Sequence, residues 1–127
     1  ATMLGGDYDI EILEAHHHFK KDAPSGTALT LARGICSATG RSFETDVVYT
    51  RHGNDVMRRP GEITIQSLRI GDHPGEHTLY FAALGERLEL RHVSSNRDSY
   101  VHGALRAARW LAGQIAGRYT IQDVFGL

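Results

Sequence analysis

Apolar positions change their spacing several times along the chain, and each change marks an element. From Tyr8 to Leu13, Tyr8, Ile10 and Ile12 alternate with acidic residues, and the run is rich in aromatic and β-branched types. This predicts a strand. Ala28, Leu31, Ala32, Ile35 and Cys36 then recur at helical spacing. Pro24 has a fixed φ suited to a first helical turn, Asp22 or Ser25 can cap it, and Thr39-Gly40 supplies a stop. Thr45 to Arg51, centred on Val47, Val48 and Tyr49, reads as a second strand, and Ile63 to Ile70 as a third. In the third the apolar phase switches from Ile63 and Ile65 to Leu68 and Ile70, which predicts a bulge near Ser67 or burial on both faces.

Gly71 to Gly75 is a turn, so His73 and His77 are not a helical metal pair. Thr78 to Leu84 is apolar on both faces, and Gly85-Glu86 folds it back into the alternating run Arg87 to Val93 as a hairpin. A second helix carries Val101, Ala104, Leu105, Ala108, Leu111, Ala112 and Ile115 on one stripe, with N-cap candidates between Ser94 and Ser99. After Gly117, Thr120 and Asp123 have the spacing of a capping box.

These elements make an α+β fold, a mixed and mainly antiparallel sheet with two helices on one face. The other face keeps apolar side chains, notably in Thr78 to Leu84. An apolar sheet face of that size is covered in most proteins, so the sheet is expected to pack in an oligomer, against a second copy of itself.

Composition narrows the class. At 127 residues the chain is a single domain by length, and a formal net charge of −1 gives no footing for a nucleic-acid or membrane-surface partner. No apolar run reaches membrane-spanning length and the N-terminus does not read as a signal peptide. Cys36, the only cysteine, lies on the apolar stripe and reads as a small core residue in a reducing, cytoplasmic setting. No G-x-G-x-x-G occurs.

The chemistry concentrates between the first strand and the first helix. His16, His17 and His18 are followed by Lys20, Lys21 and Asp22, then by Ser25-Gly26-Thr27 at the start of the helix. A helix start offers free N–H groups to anions, Gly26 lets a ligand approach the backbone, and Ser25 and Thr27 add hydroxyls. Histidine is the natural proton donor near neutral pH. Together the residues describe a pocket for a small carboxylate or phosphate compound beside a proton-transfer group. Zinc is a poorer reading, because strand alternation separates His17 from His16 and His18. Arg58 and Arg59, in the polar loop 52–61, read as solvated charge.

From Glu14 to Ala28 the chain matches every specified position of E-[LA]-H-H-x-x-K-x-D-A-P-S-G-T-A. In this run it resembles the dihydrodipicolinate reductase family. The resemblance continues through Gly75-Glu76-His77-Thr78, Gly85 to Glu89 and Ser94-Ser95-Asn96-Arg97 to the last residue. It implies the second, C-terminal domain of a two-domain enzyme, catalytic, substrate-binding and tetramerising, whose first domain is a Rossmann fold absent from this chain. Residues 118–127 would return to that domain. The implied reaction reduces 4-hydroxy-tetrahydrodipicolinate, a small cyclic dicarboxylate, with NADH or NADPH on the diaminopimelate route to lysine. By the motif, His16 is the catalytic acid/base and Lys20 a second proton donor, while His17, Ser25, Gly26, Thr27 and Arg97 hold the two carboxylates. The cofactor would be bound mainly outside this chain, with Lys20 near the nicotinamide; no metal is implied, and the assembly is a homotetramer. For His16 and His17 both to reach the substrate, the strand has to end near Ala15. The rival reading is an oligomerisation or anion-binding domain of another NAD(P)-dependent dehydrogenase.

Overall fold

The computed structural model describes residues 1–4 and 6–127. Gly5 lies outside the described residues, and Thr2–Leu4 forms a short 3₁₀ turn. The chain forms two compact units, residues 1–93 and 94–127.

The first unit is built on the strand β1, Asp9–His16. The helix α1, Gly26–Thr39, follows it, then a single turn α2, Phe43–Asp46, and a two-residue strand β2, Val47–Val48. The remaining strands are β3, Ile63–Arg69, β4, Gly75–Ala83, and β5, Glu86–Ser94. Their order in the sheet is β2-β3-β1-β4-β5. The α1 crossover lets β3 run parallel to β1, while β4 runs antiparallel to β1 on its other side. The sheet is therefore mixed and the unit is α+β, as the patterning predicts.

Alternation along β1 puts Ile10, Ile12, Glu14 and His16 on one face. The register brings Ile63 and Ile65 of β3, and Phe81 and Leu79 of β4, alongside Ile10 and Ile12. Ala28, Ala32, Ile35 and Cys36 of α1 close over them to form the core. Each fully buried aliphatic or aromatic side chain contributes about 1.5–3 kcal/mol. Gly40, at φ 70°, takes the left-handed conformation that ends α1 and donates its N–H to the Cys36 carbonyl.

The structure corrects several sequence expectations. Ser25 caps α1, accepting from Ala28 N; Asp22 does not, and Pro24 precedes the cap instead of opening the helix. The second strand is only Val47–Val48, because Phe43–Asp46 closes a helical turn in which the Asp46 carboxylate accepts from Ser42 N. The register of β3 against β1 is unbroken from Ile63 to Arg69, so the phase switch is not a bulge. Ile63, Thr64 and Ile65 are all buried, which is burial on both faces. Leu79 and Phe81 belong to the unit's own core, so the apolar character of β4 is spent mainly on α1 and not on an outer face.

Arg58 is not a solvated charge. It donates to Asp9 Oδ1 at 2.8 Å, to Glu11 and to the Glu62 carbonyl, while Arg51 reaches Glu11 at 2.7 Å and Glu62 at 2.6 Å. These two guanidiniums pin the loop 52–61 across the sheet face opposite α1. The sequence hides this, because Glu11 lies on a strand 40 residues before Arg51 and 47 before Arg58.

The second unit is a helix pair, α3, Asp98–Leu111, and α4, Ile121–Phe125. Thr120 and Asp123 form the expected capping box. Trp110 and Tyr119 meet edge to face with ring centroids 5.1 Å apart. None of the candidates between Ser94 and Ser99 caps α3 with its side chain. Arg97 occupies the cap position, and Asn96 Oδ1 accepts from Asp98 N two residues on, a local turn that takes the polar group out of capping range. Among the described residues, no helix is long and apolar enough to cross a membrane.

Candidate functional site

The α1-side face of the sheet changes character along β1. Where α1 lies over it the face is aliphatic, and beyond the start of α1 the same face becomes polar. Glu14 and His16 continue the phase of Ile10 and Ile12, Ser67 and Arg69 that of Ile63 and Ile65, and His77 that of Phe81 and Leu79. Three strands thus deliver polar side chains to one place at the mouth of the β1–α1 connection, residues 17–25.

Glu14 is the centre of this cluster and is fully buried. Its Oε1 accepts from Arg69 Nη2 at 2.8 Å and from Ser25 N at 3.1 Å. Its Oε2 accepts from Arg69 Nη1 at 2.9 Å and lies 2.5 Å from His16 Nδ1. Burial pushes the carboxyl up, but hydrogen bonds from Arg69, Ser67 and His16, with the Arg69 charge, outweigh it and bring its pKa down to about 2. Arg69 is held in turn by the Asp22 carbonyl at 2.6 Å and the Leu68 carbonyl at 2.6 Å.

His16 is the last residue of β1 and is buried. The strand runs one residue past Ala15, and alternation gives way at His17, whose N–H donates to the His73 carbonyl at 2.8 Å. His17 is half-buried and His18 exposed. The His16 ring packs edge to face on His77, centroids 5.2 Å apart. His77 Nε2 lies 2.9 Å from Ser25 Oγ. Burial lowers the His77 pKa below its usual value, with the charges of His16, His92 and Lys20 acting in the same sense and Glu14 opposing them.

The start of α1 divides into an engaged residue and two open ones. Ser25 is buried, its N–H is taken by Glu14, and its hydroxyl serves Ala28 N and His77. Its N–H is therefore not presented to a ligand. Gly26 and Thr27 are exposed. A Cβ built on Gly26 meets nothing within 4 Å, so open space lies over this first turn. Lys20 stands 2.8 Å from Asp22, whose carboxyl it holds below the usual range. Arg97 lies in the second unit, exposed at the start of α3, and its guanidinium has no ion-pair partner among the described residues.

Glu14, Arg69 and His77 are site members that residue-by-residue reading of the motif does not single out. A signal for them exists, since each is a polar residue in the core phase of its strand. Among the described residues, no three histidine, cysteine or acidic groups are arranged to hold a metal ion. The β1–α1 connection carries charges and imidazoles where a dinucleotide cradle carries glycines, so these residues do not fit a nicotinamide dinucleotide.

Known proteins resemble this chain along almost its whole length. The family model for the dihydrodipicolinate reductase C-terminus matches residues 1–125. The 4-hydroxy-tetrahydrodipicolinate reductase of Burkholderia thailandensis is 55% identical over 127 residues, 100% of this chain and 47% of the relative. That of Myxococcus xanthus is 53% identical over 126 residues, 99% of this chain and 46% of the relative. This chain spans about half the length of these curated relatives. Among solved structures, a dipicolinate-bound dihydrodipicolinate reductase from Paenisporosarcina sp. TG-14 superposes with a TM-score of 0.62 at 28% identity, covering 87% of this chain and 42% of that one. On the family match over nearly its whole length, the chain belongs to the dihydrodipicolinate reductase C-terminal domain family.

Proposed function

We propose that this chain is the substrate-binding and proton-donating part of a reductase that converts 4-hydroxy-tetrahydrodipicolinate to tetrahydrodipicolinate, with NADH or NADPH as reductant. The observation that carries the reading is the juxtaposition of His16 with the open first turn of α1 on a single sheet face. The N–H groups of Gly26 and Thr27 receive one carboxylate of the substrate, and Lys20 neutralises the other. Arg97, in the second unit, is the further carboxylate-binding residue that the family resemblance implies. His17 lines the same mouth. Ser25 serves by fixing the cap and the ring of His77. The 4-hydroxyl would leave as water and the reductant would give the ring a hydride; His16 supplies the proton that completes the reduction, with Lys20 as a second donor.

The reductant belongs to the part of the relatives that lies outside the matched segment, since the residues here do not form its cradle. Alone, this chain binds the dicarboxylate and does not turn it over. The assembly is a homotetramer in the cytoplasm, as the family resemblance implies.

The test is an assay of the native-length protein with each reduced nicotinamide and substrate formed in the cuvette. Substrate-dependent oxidation of the nicotinamide is expected, and its absence with both nucleotides would refute the reading. Two substitutions separate binding from chemistry. Arg97→Ala should weaken pyridine-2,6-dicarboxylate binding about tenfold or more, as the loss of a charge-assisted contact does. His16→Ala should leave that affinity nearly intact and lower turnover about a hundredfold or more.

A further inference from the structure

We propose that Glu14 is the positioning residue for His16: its carboxylate accepts the hydrogen on Nδ1, fixes the ring's tautomer, and leaves Nε2 as the nitrogen that exchanges a proton with the ligand. The inference deepens the proposed reductase function and rests on His16 being its proton donor.

The argument is one of donor and acceptor counting. A carboxylate has about four lone-pair sites and, when ionised, no hydrogen to give. The other partners of Glu14 are both Nη atoms of Arg69 and the N–H of Ser25, which only donate, and the Ser67 hydroxyl, which donates to an ionised carboxylate. A buried carboxylate forked by a guanidinium stays ionised. An ionised carboxylate has no hydrogen to give, so His16 Nδ1, at 2.5 Å, must be the donor. A neutral imidazole carries one N–H, so with the hydrogen on Nδ1 the other nitrogen is bare. Nε2 has no hydrogen-bond partner among the described residues, which leaves it free for a ligand. The carboxylate of a serine-protease triad orients its histidine by the same logic.

The anchoring is stiff. Arg69 is tied to two carbonyls, those of Asp22 and Leu68, so the fork cannot swing away from Glu14. One carboxylate thus touches both the proton-donating ring and the cap residue of α1. It sets the distance between Nε2 and the N–H groups of Gly26 and Thr27. An ion pair serving stability alone would need Arg69 and would have no use for the imidazole.

The experiment is ¹⁵N NMR of the native-length protein labelled at histidine, with the His16 signals assigned by their loss in His16→Gln. At alkaline pH, His16 should show a protonated Nδ1 and a bare Nε2. In Glu14→Gln the amide can present its own N–H to Nδ1, so the tautomer should become mixed or reversed. That variant should lose about a hundredfold or more in kcat with KM and dicarboxylate affinity changed less than about threefold. An Nε2–H tautomer in the unsubstituted protein overturns the proposal, and that measurement needs no variant to fold. A Glu14→Gln protein with unchanged kcat overturns it as well. The two readings fail separately. An inactive native-length protein that shows the Nδ1–H tautomer refutes the reductase function and supports the positioning, whereas an active one showing Nε2–H does the reverse.

Discussion

The Ser25 hydroxyl lies 2.9 Å from Nε2 of His77, which joins the cap of α1 to β4 although the two residues are 52 positions apart in the chain. The same hydroxyl accepts from Ala28 N, so one oxygen serves both the helix start and the site. Ser25→Ala should cost about 1 kcal/mol for the lost cap and about 1 kcal/mol more for the partner taken from a half-buried imidazole. In a double-mutant cycle with His77→Leu, chemical denaturation should give a coupling of at least about 0.5 kcal/mol. Strict additivity would mean that the contact carries no stability.

Acid should destabilise the first unit in two stages. Burial lowers the pKa of His77, so its neutral form is the native one. Protonation below the ordinary imidazole range, about 6.5, then favours the unfolded chain. Glu14 acts lower on the scale. Its pKa falls from 4.5 to about 2 on folding, so its contribution is complete above 4.5 and lost as pH drops toward 2. That contribution is about 3 kcal/mol. Urea unfolding measured from pH 8 to pH 3 should show both declines. His77→Gln should remove the first and Glu14→Gln the second, the latter from a lower plateau because Arg69 is left unpaired.

Gly26→Ala distinguishes a ligand cradle from an ordinary helix start. Nothing lies within 4 Å of a Cβ at this position, and Gly26 is not among the glycines with positive φ. The fold should tolerate the methyl, with melting unchanged or raised by the equivalent of up to about 1 kcal/mol. Binding of pyridine-2,6-dicarboxylate, followed by calorimetry, should weaken by about tenfold, since the methyl occupies the space that the carboxylate needs above the N–H groups. Unchanged affinity would move the anion away from α1.

A charge placed at Phe81 or Leu79 should unfold the unit and not merely separate copies of it, because both side chains lie in the core under α1. Phe81→Ala should cost about 3–5 kcal/mol. Circular dichroism beside light scattering checks this. A folded monomer from Phe81→Asp would place that side chain at an interface instead.

The sequence by itself determined the motif, the stripe of the first helix, the hairpin and the capping box at Thr120 and Asp123, whereas α3 ends at Leu111, short of the predicted stripe residue Ile115. All of these are local: they depend on spacing within a few residues and on backbone preferences that act before any long-range contact forms. It also determined the family, because the run from Glu14 to Ala28 fixes so many positions at once. What it left open depends on register. That Glu14, Arg69 and His77 converge follows from the pairing of β1 with β3 and β4, since Glu14 stands opposite Ser67 on one side and His77 on the other. The alternation within each strand carries the phase, but only the sheet says which phases meet. Likewise Arg58 looks like solvent-facing charge until the sheet brings Asp9 and Glu11 beneath it. A buried charge needs its partner in space, and tertiary structure alone supplies partners from 40 to 55 residues away.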